Sequence, residues 1–230
     1  MTIKAIVWDL DGTLIHFKID YIRARREAIK ILKKYGIPKK YLTIQDSILD
    51  NINKAKDYLK KNNVNPKEID HIVKEVDKKV IEVERDAAIK ATPLDGIKDV
   101  LKFIKEQGIK QAVYTINTKK NAKISLKSAG LLEFFDIIIG RDDVENIKPH
   151  PDHLIKICNE LGVKSSEILV VGDTHRDITG AINIGAPSIA IISKISKLKN
   201  IDTLYKANKV IEEEEIPLKL KNLINELINL

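Results

Sequence analysis

Two short acidic runs carry the first chemical signal in this 230-residue chain. Asp9-Leu10-Asp11-Gly12-Thr13-Leu14 sets two carboxylates at i and i+2 directly after the apolar run Ile3–Trp8. Gly172-Asp173-Thr174-His175-Arg176-Asp177 sets two more, four apart, directly after Ile168–Val171. Open α/β sheets bind ligands at the carboxyl ends of their strands, and both runs fall at such ends. Gly12 permits the tight turn that lets backbone approach an anion. Taken alone, Asp-x-Asp-Gly also fits a turn or a calcium loop. A calcium EF-hand needs a Glu at position twelve of a loop between helices. Position twelve here is Asp20, and a strand precedes the loop. Helix capping would explain one of Asp173 and Asp177, but not why both acidic loops follow strands. Lys148 stands just ahead of the Pro-fixed helix start in Asn146-Ile147-Lys148-Pro149-His150-Pro151-Asp152. Thr115 ends another apolar run and is followed by Ile116, Asn117 and Thr118.

These residues need strands to deliver them. Five Ile- and Val-rich runs read as buried strands: Ile3–Trp8, Gln111–Thr115, Ile137–Ile139, Ile168–Val171 and Ser188–Ile192. Apolarity without alternation indicates strands covered on both faces, as in a parallel sheet. Helical periodicity fills Gly96–Gln107, Lys119–Ala129, Pro151–Leu161 and Asp177–Ile184, with Gly108, Gly130, Gly162 and Gly185 as stops. The alternation predicts a doubly wound α/β parallel sheet with right-handed crossovers. Residues 16–91 break the pattern. They hold only helical periodicity, at Ile22–Tyr35, Thr43–Asn62 and Glu68–Lys90. We therefore expect a core of residues 1–15 and 92–230, with an all-helical cap of 16–91 inserted after the first strand. Lys219–Leu230 reads as a closing amphipathic helix.

Composition narrows the function. A net charge of +7 invites nucleic-acid binding. The lysines, however, are dispersed among Glu and Asp as on solvated helix faces. Aromatics make up only 5%, too few for base stacking. We expect no nucleic-acid partner. No apolar stretch reaches the ~18–20 residues of a membrane span, and no secretory signal is recognisable, so we expect a cytoplasmic protein. Cys158 is the single cysteine, which excludes intramolecular disulfides and disfavours a cysteine metal site.

The four features, in this order and spacing, resemble the motifs of the haloacid dehalogenase superfamily, and the likeness spans nearly the whole chain. They are Asp9–Leu14, Thr115, Lys148 before Pro-x-Pro-Asp, and Gly172–Asp177. The resemblance implies a Rossmann-like core and a phosphatase. Asp9 would attack phosphorus to form an aspartyl-phosphate. Asp11 would protonate the leaving alcohol and then activate water. Mg²⁺ would be held by the Asp9 carboxylate, the Asp11 main-chain carbonyl and Asp173. Asp177 would be a direct or water-mediated ligand, or would orient one. Thr115 would donate to a phosphoryl oxygen, and Lys148 would balance charge on nucleophile and phosphoryl group. Ile116 stands where many relatives carry Asn or Ser, so Ile116 joins the phosphate loop and Asn117 or Thr118 could share the role of Thr115. Asp11 also separates this chain from the dehalogenases, which lack an acid there.

The resemblance further implies a small phosphorylated metabolite as substrate, phosphoglycolate-like in the first instance, and a monomer or homodimer. A phosphomutase of the β-phosphoglucomutase type keeps the same motifs. Pyrophosphate or nucleotide hydrolysis is a further alternative, while a non-catalytic regulator would have lost Asp9, Asp11 or Lys148. The cap would select substrate, with Lys18, Arg23 and Arg26 as candidate contacts and His16 near the entrance; His175 and Arg176 would reach toward the opening.

Overall fold

The computed structural model describes residues 2–16, 19–193 and 201–228. Its strands are β1 (Ala5–Trp8), β2 (Lys110–Tyr114), β3 (Ile137–Ile139), β4 (Ile168–Gly172), β5 (Ser188–Ile192) and β6 (Lys209–Glu212). They form one sheet in the order β3-β2-β1-β4-β5-β6, and every pairing is parallel. The expected doubly wound α/β architecture is present. Five strands lie where the apolar runs predict them, with ends moved by a residue or two, so that Thr115 falls just beyond β2. β6 was not expected. It has only Val210 and Ile211 between Lys209 and Glu212, and as an edge strand it is half-buried and needs no continuous apolar run.

The helices are α1 (Tyr21–Lys34), α2 (Ile48–Lys61), α3 (Pro66–Ala88), α4 (Ile97–Glu106), α5 (Lys119–Ser128), α6 (Asp152–Leu161), α7 (His175–Asn183), α8 (Ile201–Leu204) and α9 (Lys221–Ile228). Burial on both faces of the sheet explains why its strands do not alternate. Ile6 and Trp8 pack on one side with Leu101 and Ile104 of α4, Leu126 of α5 and Ile224 of α9. Ala5 and Val7 face the other, with Leu154 and Ile157 of α6 and Ala181 of α7. Each fully buried Val, Leu or Ile among them contributes about 1.5–3 kcal/mol. Cys158 joins this second layer, whereas Ile155 of the same helix faces outward. No helix among the described residues is long and apolar enough to cross a membrane.

The chain divides into two compact units, Met1–Phe17 with Lys90–Leu230, and Lys18–Ile89. The second is all-helical in its described residues, with α1, α2 and α3 closing on Ala28, Leu32, Ile52, Leu59, Ile72 and Val76. Each helix is started by a side chain that accepts from its first-turn N–H groups. Asp20 serves α1, Ser47 serves α2 and Asn65 serves α3, where Pro66 occupies the first helical position. Asn51 pins the loop ahead of α2. Buried at 1% exposure, its amide donates to the carbonyls of Thr43 and Ser47, both at 2.9 Å, and its oxygen accepts from Thr43 N–H at 3.0 Å. Asn51→Ala leaves that backbone unsatisfied and is expected to destabilise the helical unit by about 2–3 kcal/mol. Urea unfolding followed by circular dichroism checks this; a shift under about 0.5 kcal/mol would show that the loop does not depend on Asn51.

Candidate active site

The register of the sheet brings the chemical residues together. Trp8 of β1 lies level with Val113 of β2 and with Val171 of β4. The next residue on each strand path, Asp9, Tyr114 and Gly172, therefore emerges at one carboxyl edge, followed by Thr115 and Asp173. Asp9 N–H donates to Val171 O at 2.9 Å, and Thr115 N–H to Ile139 O at 3.0 Å, which fixes both positions on the sheet. Two glycines make the approach possible. Gly12 has φ +85°, and a Cβ there would meet Asp173 Oδ2 at 2.3 Å. A Cβ on Gly172 would meet the Asp177 side chain at 2.4 Å. Neither position has room for a larger residue.

One carboxylate oxygen from each of Asp9, Asp173 and Asp177 lies within 4.8 Å of the others, and all three residues are buried. Lys148, 5% exposed, donates its ammonium to Asp9 Oδ1 and to Asp177 Oδ1 at 2.8 Å. The ammonium also lies 3.8 Å from the centroid of the Tyr114 ring, whose face attracts a cation. The other Asp177 oxygen accepts from Thr174 N–H at 3.0 Å and Thr174 Oγ1 at 2.5 Å, at the start of α7. The capping role weighed for this loop thus falls to Asp177, at the same time as its ion pair. Asp173 differs. Its Oδ1 is buried and has no hydrogen-bond partner.

The charge states follow from these contacts. Burial pushes Asp9 up to about 6, with Lys148 opposing and Asp177 adding to the rise. Burial would raise Asp177 as well, but the Lys148 charge and the hydrogen bonds from Lys148 and Thr174 hold it below the usual carboxylate range. Burial would lower Lys148; Asp177 and Asp9 overcome this and raise it. Asp173 is driven well above its ordinary value by burial, then by the Asp9 and Asp177 charges. With all groups ionised, three carboxylates face one ammonium, an excess of two negative charges. An orphaned oxygen, hard carboxylate donors and that excess together fit a small divalent cation.

The remaining expected residues divide into those the structure brings to this edge and those it does not. Asp11 is half-buried, and its carboxylate is not one of the three clustered oxygens. Asn117 Nδ2 donates to Asp11 Oδ2 at 2.6 Å. Thr115 is fully buried, and its Oγ1 accepts from Asn117 N–H at 3.1 Å. Ile116 is 41% exposed, and its carbonyl accepts from Arg141 Nη1 at 2.8 Å. Thr118 caps α5 through Asn121 N–H. Trp8 is a fully buried core residue, as expected. His153 is also fully buried, its ring edge-on to Tyr114 at 6.2 Å. Arg23 pairs with Asp86 at 2.8 Å within the helical unit, and Arg26 is exposed. His16 Nδ1 lies 3.9 Å from Glu213; His175 is half-buried and Arg176 exposed. Lys18 lies outside the described residues. Tyr114 and Thr174 were not singled out in the sequence. A Tyr inside an apolar strand reads as core, and a Thr before an Asp reads as turn.

A model of the haloacid dehalogenase-like hydrolases matches residues 6–191. Pyrophosphatase PpaX of Halalkalibacterium halodurans is 32% identical over 193 residues, 83% of this chain and 84% of that protein. Among solved structures, a β-phosphoglucomutase from Clostridium difficile superposes with TM-score 0.66 at 22% identity, covering 99% of this chain and 98% of its own. A predicted phosphoglycolate phosphatase from Haemophilus somnus superposes with TM-score 0.63 at 20% identity, covering 93% and 96%. At these identities the two structures bear on the fold alone.

The crowding at Asp173 has a sign. A carboxyl whose folded pKa is raised keeps protons that the unfolded chain releases. The cation-free fold therefore loses stability as pH rises above about 4. Asp173→Asn is expected to raise the Tm of the cation-free protein at pH 7 and to abolish any further rise in Tm on adding Mg²⁺. Thermal melts with and without Mg²⁺ test both; an unchanged Mg²⁺ response in the variant would remove Asp173 from the cation site.

Proposed function

The chain belongs to the haloacid dehalogenase-like hydrolase family, and we propose that it is a Mg²⁺-dependent phosphatase acting through Asp9. The observation that carries this reading is the Asp9 carboxylate, buried beside Asp173 and Asp177 and held by Lys148. In the first half-reaction an Asp9 oxygen forms a bond to phosphorus while the bond from phosphorus to the leaving oxygen breaks. The Asp11 carboxyl proton passes to that oxygen. In the second, Asp11 takes a proton from water, the water oxygen bonds to phosphorus, and Asp9 leaves as carboxylate. Lys148 stabilises the ionised nucleophile and the developing charge, and in this reading the Thr115 hydroxyl donates to a phosphoryl oxygen. Bound at Asp9, Asp173 and the Asp11 main-chain carbonyl, Mg²⁺ would supply charge neutralisation for the phosphoryl oxygens. Both Asp177 oxygens are already engaged, so we assign it the anchoring of Lys148 and the start of α7, with its charge adding to the cation site.

We favour small phosphomonoesters of the phosphoglycolate type, handled in the cytoplasm, with the chemistry in the α/β unit and substrate selection assigned to the helical unit. The likeness to a protein named as a pyrophosphatase supports a second reading, in which inorganic pyrophosphate is the substrate and phosphate the leaving group. Mutase activity would return the phosphoryl group to a sugar instead of to water.

With Mg²⁺ the protein is expected to hydrolyse p-nitrophenyl phosphate, and EDTA to abolish this; Asp9→Asn is expected to lose essentially all turnover while keeping its circular dichroism spectrum. Metal-independent turnover, or an active Asp9→Asn enzyme, would contradict the reading. Phosphoglycolate, sugar phosphates, nucleotides and pyrophosphate assayed in parallel, with analysis for isomerised product, would choose among the substrate classes.

A further inference from the structure

We infer that Asn117 is a positioning residue that aims Asp11 for proton transfer, and not a ligand of the phosphoryl group. The inference rests on the reading of Asp11 as acid and base. Asn117 is 5% exposed, and its backbone is fixed on both sides. Its N–H donates to Thr115 Oγ1 at 3.1 Å, and its carbonyl accepts from Arg141 N–H at 2.9 Å. Arg141 also binds the neighbouring Ile116 carbonyl through Nη1, at 2.8 Å. From this braced loop the side-chain amide crosses to Asp11 Oδ2 at 2.6 Å, a contact between residues 106 positions apart.

The contact has a chemical consequence. An amide N–H on Oδ2 makes that oxygen the acceptor, so the proton of a neutral Asp11 carboxyl resides on Oδ1. The same bond fixes the plane of the carboxyl. In the first half-reaction the proton on Oδ1 goes to the leaving oxygen; in the second, Oδ1 receives the proton of water. Asn117 exchanges none. A misplacement of about 1 Å in such a group can cost roughly 100-fold in rate.

The test compares two aryl phosphates of similar shape under kcat/KM, which reports the first half-reaction. p-Nitrophenolate leaves readily without a proton, whereas phenolate leaves poorly and gains from one. Asp11→Asn is expected to lose on the order of 10²-fold or more on phenyl phosphate beyond its loss on p-nitrophenyl phosphate. Asn117→Ala is expected to follow the same pattern, with a selective loss of roughly 10- to 100-fold. The ratio of the two substrates is internal to each variant, so a poorly folded fraction lowers both rates and leaves it unchanged. If Asp11→Asn is selective and Asn117→Ala loses equally on both substrates, Asn117 does not position Asp11 and the inference fails alone. If Asp11→Asn itself shows no selectivity, the assignment of Asp11 as the acid fails and the inference falls with it.

Discussion

The structure depends on a tolerated imbalance of charge. Asp9, Asp173 and Asp177 share a buried edge with one ammonium, that of Lys148. Like charges about 4–5 Å apart repel by roughly 3–4 kcal/mol each at an effective dielectric near 20, and desolvation adds to the cost. Lys148 cannot satisfy all three. It is hydrogen-bonded to Asp9 and Asp177 and rests on Tyr114. Asp173 is left with an oxygen that meets no donor. Such an arrangement is poor for stability and suited to a cation followed by an anionic phosphoryl group. The packed layers on both sides of the sheet, with Trp8 and Leu101 on one and Val7 and Ile157 on the other, offset it.

The imbalance is built by backbone geometry. β1, β2 and β4 pair in level register, so their carboxyl ends deliver Asp9, Thr115 and Asp173 to one place. A slip of one residue would turn Asp9 to the opposite face. Gly12 and Gly172 then admit the carboxylates of Asp173 and Asp177 at distances a Cβ would forbid. Folding free energy is thereby converted into proximity. Family membership fits this division of labour. Solved structures at 20–22% identity share this fold, and a shared fold does not by itself fix the choice of substrate.

Much of this was legible in the residues. Strands buried on both faces announce themselves as Ile–Val runs, and acids at their ends announce an edge that binds ligands. The motif order then specified Asp9, Asp173, Asp177 and Lys148, which the structure gathers. What was not legible depends on contacts across the chain. β6 lacks an apolar run because it is paired on one side only. Tyr114 reads as core because it is core, and nothing local signals that an ammonium lies on its ring. Asn117 was expected at the phosphate loop; its bond to Asp11 joins residues 106 apart and leaves no trace in local pattern. The two tasks of Asp177 are similarly split, the helix cap being local and the Lys148 pair being distant.

The central claim is that Asp9 is the nucleophile that accepts the phosphoryl group, and trapping the covalent intermediate tests it most directly. Protein turning over a ³²P-labelled phosphomonoester with Mg²⁺, quenched in acid and digested, is expected to carry label on the peptide containing Asp9, in an acyl linkage cleaved by hydroxylamine. Label on a different residue, or a protein that turns over substrate without ever becoming labelled, would contradict the account.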